Sequence, residues 1–485
     1  MSRRTSPTSG PSVSQPPGRP VAPGSLPRHH LPTPGGRAAV RHLARLDSAG
    51  LPGSPGGDLR VPSLLALDDG TLLLVHDHRP PVPGPGWQQD GGALPGDLPN
   101  PNSLWLRRST DAGASWSAPQ PLVPGLGCPL VRGLSDPSLL LAADGTVHLL
   151  AAAATDVGLF GAHPPTRPAA PGQPAEGGTL RLLHARSQDG GRTWAWQDLS
   201  DLLRPSAQDP AGLVAFPVSG HGATLGAGPW PGRLVQPLVA VGPPRPDGSR
   251  PVQARSLISD DAGASWYLGQ PVPPPSQAAT ASLAGAAATT GVDEWALAPA
   301  PDGSLLLCAR DGGYGGTRLT SRSHDGGRSW SVPQPRPDLP DPGCNGALLD
   351  LPGTRALLCS HAADPRARRQ GRLSLSTDAG ATWRPLAELS GPQEPFGYSD
   401  LCALPGPGPR VLVVAEEPQD GAGAGLVLQA VDLGSLSLGG LEPEEADLAV
   451  VDLGAPELGA VDHGAPGPGA VDQERTDLPG EGGGR

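Results

Sequence analysis

Ser323-His324-Asp325-Gly326-Gly327-Arg328-Ser329-Trp330 is one copy of a recurring pattern: serine, then aspartate, glycine and tryptophan at offsets of two, four and seven residues. The same spacing stands at Ser109/Asp111/Gly113/Trp116, Ser187/Asp189/Gly191/Trp194, Ser259/Asp261/Gly263/Trp266 and Ser376/Asp378/Gly380/Trp383. The chemistry is that of a tight hairpin. The carboxylate can accept hydrogen bonds from the turn amides, the glycine supplies a backbone conformation closed to other residues, and the tryptophan folds back as an apolar plug. Five of the ten tryptophans occupy this position in a chain with 3% aromatic residues, so the recurrence is structural and not accidental. Successive copies lie roughly fifty to eighty residues apart, the size of one four-stranded propeller blade plus a variable loop.

The sequence between the copies agrees. Short apolar runs begin at Ser63, Thr71, Val147, Leu305 and Val411, and Asp69-Gly70, Asp144-Gly145 and Asp302-Gly303 are turn signals beside them. No stretch keeps a helical period beyond two turns. The 70 glycines and 64 prolines favour turns over long helices.

The ends read differently. Residues 1–50 are rich in Pro, Ser, Gly and Arg without an apolar period and are expected to be a disordered extension. The propeller is assigned to 51–432. Residues 433–485 carry loose Gly-Ala-Pro and Ala-Val-Asp repeats, expected to form an acidic disordered tail. Of the net charge of -12, about ten negative charges lie in that tail. Lysine is absent, and no basic face of the kind that nucleic-acid binding needs is visible. Cys128, Cys308, Cys344, Cys359 and Cys402 are scattered without a C-x-x-C pair, which reads as buried free thiols. No segment is long and apolar enough for an integral membrane span. Met1-Ser2-Arg3-Arg4 has positive charge but no apolar run behind it, which reads as a cytoplasmic protein; a start site elsewhere would allow secretion.

The five repeats resemble the Asp-box, or BNR, repeats of bacterial-type exo-α-sialidases (neuraminidases). That resemblance implies an all-β, six-bladed β-propeller, here with disordered N- and C-terminal extensions. Asp-boxes also occur in propellers without catalytic activity, so they speak to fold and not to chemistry.

The chemistry of such enzymes makes specific demands. The sugar bears a carboxylate on its anomeric carbon, and several arginines can hold that anion by planar, permanently charged hydrogen bonds. A tyrosine nucleophile avoids the repulsion a carboxylate nucleophile would meet. Asp58-Leu59-Arg60-Val61-Pro62 resembles the family's Arg-Ile-Pro opening, which implies that Arg60 binds the substrate carboxylate. Gly96-Asp97-Leu98-Pro99-Asn100-Pro101-Asn102-Ser103 is similar to the loop of the general acid/base, which makes Asp97 that residue, with Asp90 its competitor. Ser135-Asp136-Pro137-Ser138 resembles the segment whose aspartate contacts the sugar ring; Asp136 is its counterpart, and a turn anchor is the alternative.

Glu294, ahead of the Asp302-Gly303 hairpin, and Arg310, closing the next strand, match the family's base and second arginine. Simple strand alternation would send the neighbouring Asp293 to the opposite face. Arg368 is the candidate third arginine among Arg366, Arg368, Arg369 and Arg372. Tyr398, one of three tyrosines, stands in a Tyr-Ser-x-Leu context similar to that of the family's nucleophile, and Glu416 or Glu417 is expected to brace Arg60.

What the resemblance implies is therefore a retaining exo-α-sialidase. Its substrates would be sialylated glycoproteins, gangliosides or oligosaccharides. It would act as a monomer, and no cofactor or metal is expected, because no metal or phosphate-binding motif appears. The alternatives are a non-catalytic glycan- or protein-binding propeller, a trans-sialidase, or a hydrolase of another nonulosonic acid.

Overall fold

The computed structural model describes residues 38–51, 57–81, 96–126, 132–168, 176–226, 228–242, 252–275, 291–406, 408–419 and 423–434. Asp90, Cys128 and the acidic tail lie outside the described residues. Cys308, Cys344, Cys359 and Cys402 are buried and free.

Six antiparallel sheets follow one another around an axis. Blade one is Asp58–Ala66, Leu72–Arg79, Ser103–Ser109 and Gln120–Leu122. Blade two is Gly133–Leu141, Val147–Ala154, Leu180–Ser187 and Ala195–Asp198, and blade three is Val214–Pro217, Leu234–Val241, Val252–Ser259 and Tyr267–Pro271. Blade four runs Val292–Pro299, Leu305–Asp311, Thr317–Ser323 and Gln334–Pro340; blade five runs Ala347–Asp350, Leu357–Ala362, Gly371–Ser376 and Arg384–Glu388. Blade six takes Ser399–Ala403, Arg410–Gln419 and Gly423–Asp432 from the end of the propeller, and its outer strand, Ala39–Leu46, from the beginning.

That last strand corrects the expectation of disorder for Ala39–Leu46, part of the extension assigned to residues 1–50. Ala39–Leu46 pairs antiparallel with Gly423–Asp432, Ala39 opposite Asp432 and Leu46 opposite Leu426. As an edge strand it has no fully buried residue, with a bulge between His42 and Ala44, so its apolar alternation is too weak to stand out. Joining the first and last of the described strands in one sheet closes the ring.

Each Asp-box closes the hairpin between the third and fourth strands of blades one to five. In the first, Ser115 N–H donates to Asp111 Oδ1 at 2.9 Å, Gly113 N–H donates to Ser109 Oγ at 2.9 Å, and Gly113 has φ 85°. The other four repeat this bonding with distances within a few tenths of an ångström. Blade six needs no box, because its fourth strand arrives from the opposite terminus and there is no hairpin to close.

Apolar side chains fill the spaces between blades. Leu73, Val75, Leu104 and Leu106 of blade one meet Leu139, Val147 and Leu149 of blade two, all essentially inaccessible to water. Each such side chain contributes about 1.5–3 kcal/mol on burial. The box tryptophan joins in: Trp330 is buried against Trp295 and donates its indole N–H across the blade boundary to Ser256 Oγ at 3.0 Å.

Three innermost strands carry the same irregularity. In blades one, two and four the ladder slips between Arg60 and Ser63, Ser135 and Ser138, and Val292 and Trp295, so that two residues face one. Pro62 and Pro137 sit inside two of these bulges, where a missing N–H costs no ladder bond. Val61 and Asp136 take left-handed backbone angles, φ 47° and 57°. Bulges re-aim side chains, and these three re-aim Arg60, Asp136 and Glu294.

Candidate active site

Tyr398 directly precedes the innermost strand of blade six and is 8% exposed. Its hydroxyl donates to Glu294 Oε2 at 2.5 Å, and Arg310 Nη1 donates to the same hydroxyl at 2.9 Å. Arg310 Nη1 also lies 2.8 Å from Glu294 Oε2, so tyrosine, glutamate and arginine form a closed triangle. Burial raises the Glu294 carboxyl above its ordinary 4.5, although the Arg310 charge opposes this. Burial likewise pushes the Tyr398 phenol well above 10, with Arg310 and Arg368 pulling in the other direction.

Asp293 does not point away. Arg310 Nη2 donates to Asp293 Oδ2 at 2.6 Å, so one guanidinium spans two consecutive carboxylates. The expected alternation fails because the bulge sets Asp293 and Glu294 together opposite Arg310.

Two further guanidinium groups approach the phenol ring: the Arg368 Cζ stands 5.1 Å from its centroid and the Arg60 Cζ 5.8 Å. Glu416, and not Glu417, holds Arg60: Nε donates to Glu416 Oε1 at 2.8 Å, while Glu417 pairs with Arg45 on the outer strand. Val61 N–H and Tyr398 N–H also donate to the Glu416 carboxylate, at 2.7 and 3.2 Å. Burial would raise Glu416, but the Arg60 charge and these bonds outweigh it and its pKa falls below the ordinary value. Among the described residues Arg368 has no carboxylate ion-pair partner, which leaves its charge available to an anion.

Asp97 and Asp136 come from blades one and two. Asp97 is half-exposed and accepts a hydrogen bond from Arg79 Nη1. Arg79 is itself buried, donating to Asp77 Oδ2 at 3.1 Å and to Ser135 Oγ at 3.3 Å. Asp136 is pushed well above the ordinary carboxyl value by burial and by the charge of Asp77; Glu294 and Asp97 act on it in the same direction. The seven residues singled out from the sequence therefore gather on the axis from blades one, two, four, five and six.

Sequence reasoning missed Arg79 and Asp77. A signal was present: His76-Asp77-His78-Arg79 continues the apolar run Leu72–Val75 in a strand that is buried throughout. Two charges at i and i+2 in such a strand share one face and need partners.

The arrangement is a cluster in which three guanidinium groups approach a phenol hydrogen-bonded to a buried carboxylate. Residues 103–409 match the BNR repeat-like domain, and the chain belongs to that family. Its curated relatives include two sialidases. That of Micromonospora viridifaciens is 33% identical over 358 residues, covering 71% of this chain and 48% of the relative. That of Bacteroides fragilis (strain YCH46) is 27% identical over 382 residues, covering 75% and 60%. The chain thus spans about half to three-fifths of the length of these relatives. Among solved structures, the Hadza microbial sialidase Hz136 superposes with a TM-score of 0.56 at 23% identity, covering 78% of this chain and 66% of that one, a likeness of fold.

Proposed function

We propose that this propeller is a retaining exo-α-sialidase acting on terminal sialic acids of glycoproteins, gangliosides or oligosaccharides, with Tyr398 as nucleophile. The observation that carries this reading is the 2.5 Å hydrogen bond from Tyr398 to the buried Glu294 inside a ring of arginines. Arg60, Arg310 and Arg368 bind the sugar carboxylate. A neutral phenol can approach an anomeric carbon that bears an anion, and it becomes a competent nucleophile as its proton passes to Glu294. Asp97 protonates the departing oxygen, then takes a proton from the water that releases the glycosyl-enzyme intermediate. Asp136 contacts the ring substituents.

The test is release of the fluorophore from a fluorogenic α-sialoside by the wild-type protein and by Tyr398→Phe. The wild type releases it and the variant is slower by roughly a thousandfold or more. Equal rates would remove Tyr398 from the mechanism, and no release by folded wild type would remove sialosides as substrates.

A further inference from the structure

Ser219-Gly220-His221-Gly222 forms a plug against the innermost strands of blades one, two and six, outside their antiparallel ladders. Gly220–His221 runs parallel to Ser138–Leu139 on the axial side of blade two's innermost strand. The Gly220 carbonyl accepts Ser63 Oγ of blade one at 2.5 Å and Ser138 Oγ of blade two at 3.2 Å, the serines that follow the two proline bulges. Asn345, which precedes blade five, donates its side-chain amide to the Ser219 carbonyl at 3.0 Å. Gly222 lies so close to blade three that a Cβ there would fall 2.8 Å from the Val235 carbonyl and 2.7 Å from Gln236 Oε1.

The remaining contact is ionic. His221 Nδ1 stands 2.7 Å from Asp400 Oδ1, and Asp400 is wholly buried. Asp400 Oδ2 accepts the Leu64 N–H of blade one at 2.7 Å, and Oδ1 accepts the Leu401 N–H at 2.9 Å. Asp400 is two residues beyond Tyr398, on the strand that starts at Ser399. Ser399 Oγ is in turn 2.8 Å from Ser360 Oγ of blade five.

We propose that His221 is a positioning residue: as an imidazolium paired with Asp400, it locks the innermost strand of blade six onto the axial plug and so sets Tyr398 at its distance from Glu294. This rests on the sialidase reading for its kinetic consequence and on geometry alone for the ion pair. A carboxylate sealed from water needs a positive partner more than a neutral one.

The strands packed on the plug also carry Arg60, Asp136 and Asp350, but among the described residues Asp400 is the charged group that acts on the His221 ring. Burial lowers the ring's proton affinity, yet the Asp400 charge and hydrogen bond, with a bond to the Leu348 main chain, outweigh it and raise His221 above 6.5. The contribution of the charged ring is therefore complete at pH 6 and lost as pH rises through that higher value.

The test has two arms. In selectively 15N-histidine-labelled full-length protein, the imidazole signals missing from His221→Gln keep the imidazolium pattern at pH 7 in the wild type. At pH 6.5, kcat on a fluorogenic α-sialoside falls about tenfold in His221→Gln and in Asp400→Asn, with KM within about twofold. The ratio of wild-type to His221→Gln kcat then shrinks towards one as pH rises to 9, a comparison that cancels every titration common to both proteins. A neutral His221 ring at pH 6.5, or a ratio constant with pH, would overturn the proposal. If no α-sialoside is turned over, the sialidase reading fails, and the imidazole spectrum still decides the ion pair.

Discussion

Glu416 grips Arg60 by its Nε nitrogen at 2.8 Å and, with its other oxygen, accepts the main-chain N–H of Tyr398 at 3.2 Å. One carboxylate thus fixes both an arginine of the proposed anion site and the backbone of the proposed nucleophile. Glu417, next along the strand, faces the outer edge and Arg45.

The two neighbours are therefore unequal. Glu416→Gln should raise KM for an α-sialoside about tenfold, because the proposed function has Arg60 contact the substrate carboxylate in ground and transition states alike. It should also cost about 2–3 kcal/mol in denaturant unfolding, since it strips a largely buried pair of one charge. Glu417→Gln should stay within about 0.5 kcal/mol of wild type, as an exposed pair does.

In the proposed mechanism Glu294 must be ionised to take the tyrosine proton, so its titration is expected to form the acidic limb of kcat/KM. Its pKa is raised by burial, which places that limb above 4.5. Asp293 contributes to the rise. Asp293→Asn removes that repulsion and leaves Arg310 freer to favour the glutamate anion, so the limb should move to lower pH. Glu294→Gln should lower kcat by roughly 10²–10³-fold. A limb unmoved in Asp293→Asn would assign it to another group.

The Asp-box aspartates link stability to acid. Bonds from the Ser115 hydroxyl and N–H hold Asp111 down to about 2, and Asp261, Asp325 and Asp378 are lowered too, against the effect of burial. A depressed carboxyl pKa gives stability that is complete above the unfolded value near 3.8 and lost as pH falls below it. Thermal unfolding temperature should therefore drop steeply between pH 4 and about 2. Asp325→Asn should weaken that dependence and lower the temperature at pH 7 as well.

Removal of residues 1–47 should lower the unfolding temperature by roughly 5–10 °C and promote association through the bared Gly423–Asp432 edge. Scanning calorimetry with sizing chromatography reads both effects. An unchanged transition would show that Ala39–Leu46 adds nothing to ring closure.

Much of this was legible along the chain because its information is local. An Asp-box is an eight-residue device, and its hydrogen bonds run between residues two to four apart, as at Ser109, Asp111 and Ser115. Five such devices at blade-sized intervals determine an all-β propeller, and the motifs around Arg60, Asp97, Asp136, Glu294, Arg310, Arg368 and Tyr398 marked the residues that meet on its axis. Contacts between distant segments were not legible. Which glutamate faces Arg60 depends on a pairing across 356 residues, and whether Asp293 reaches Arg310 depends on a bulge. The place of Ala39–Leu46 depends on a partner strand at the other end of the propeller, and the role open to His221 depends on Asp400, 179 residues away. Periodicity and turn chemistry act within a hairpin and are written in neighbouring residues, whereas register slips and axial ion pairs arise only when six blades close and bring remote side chains into one low-dielectric space.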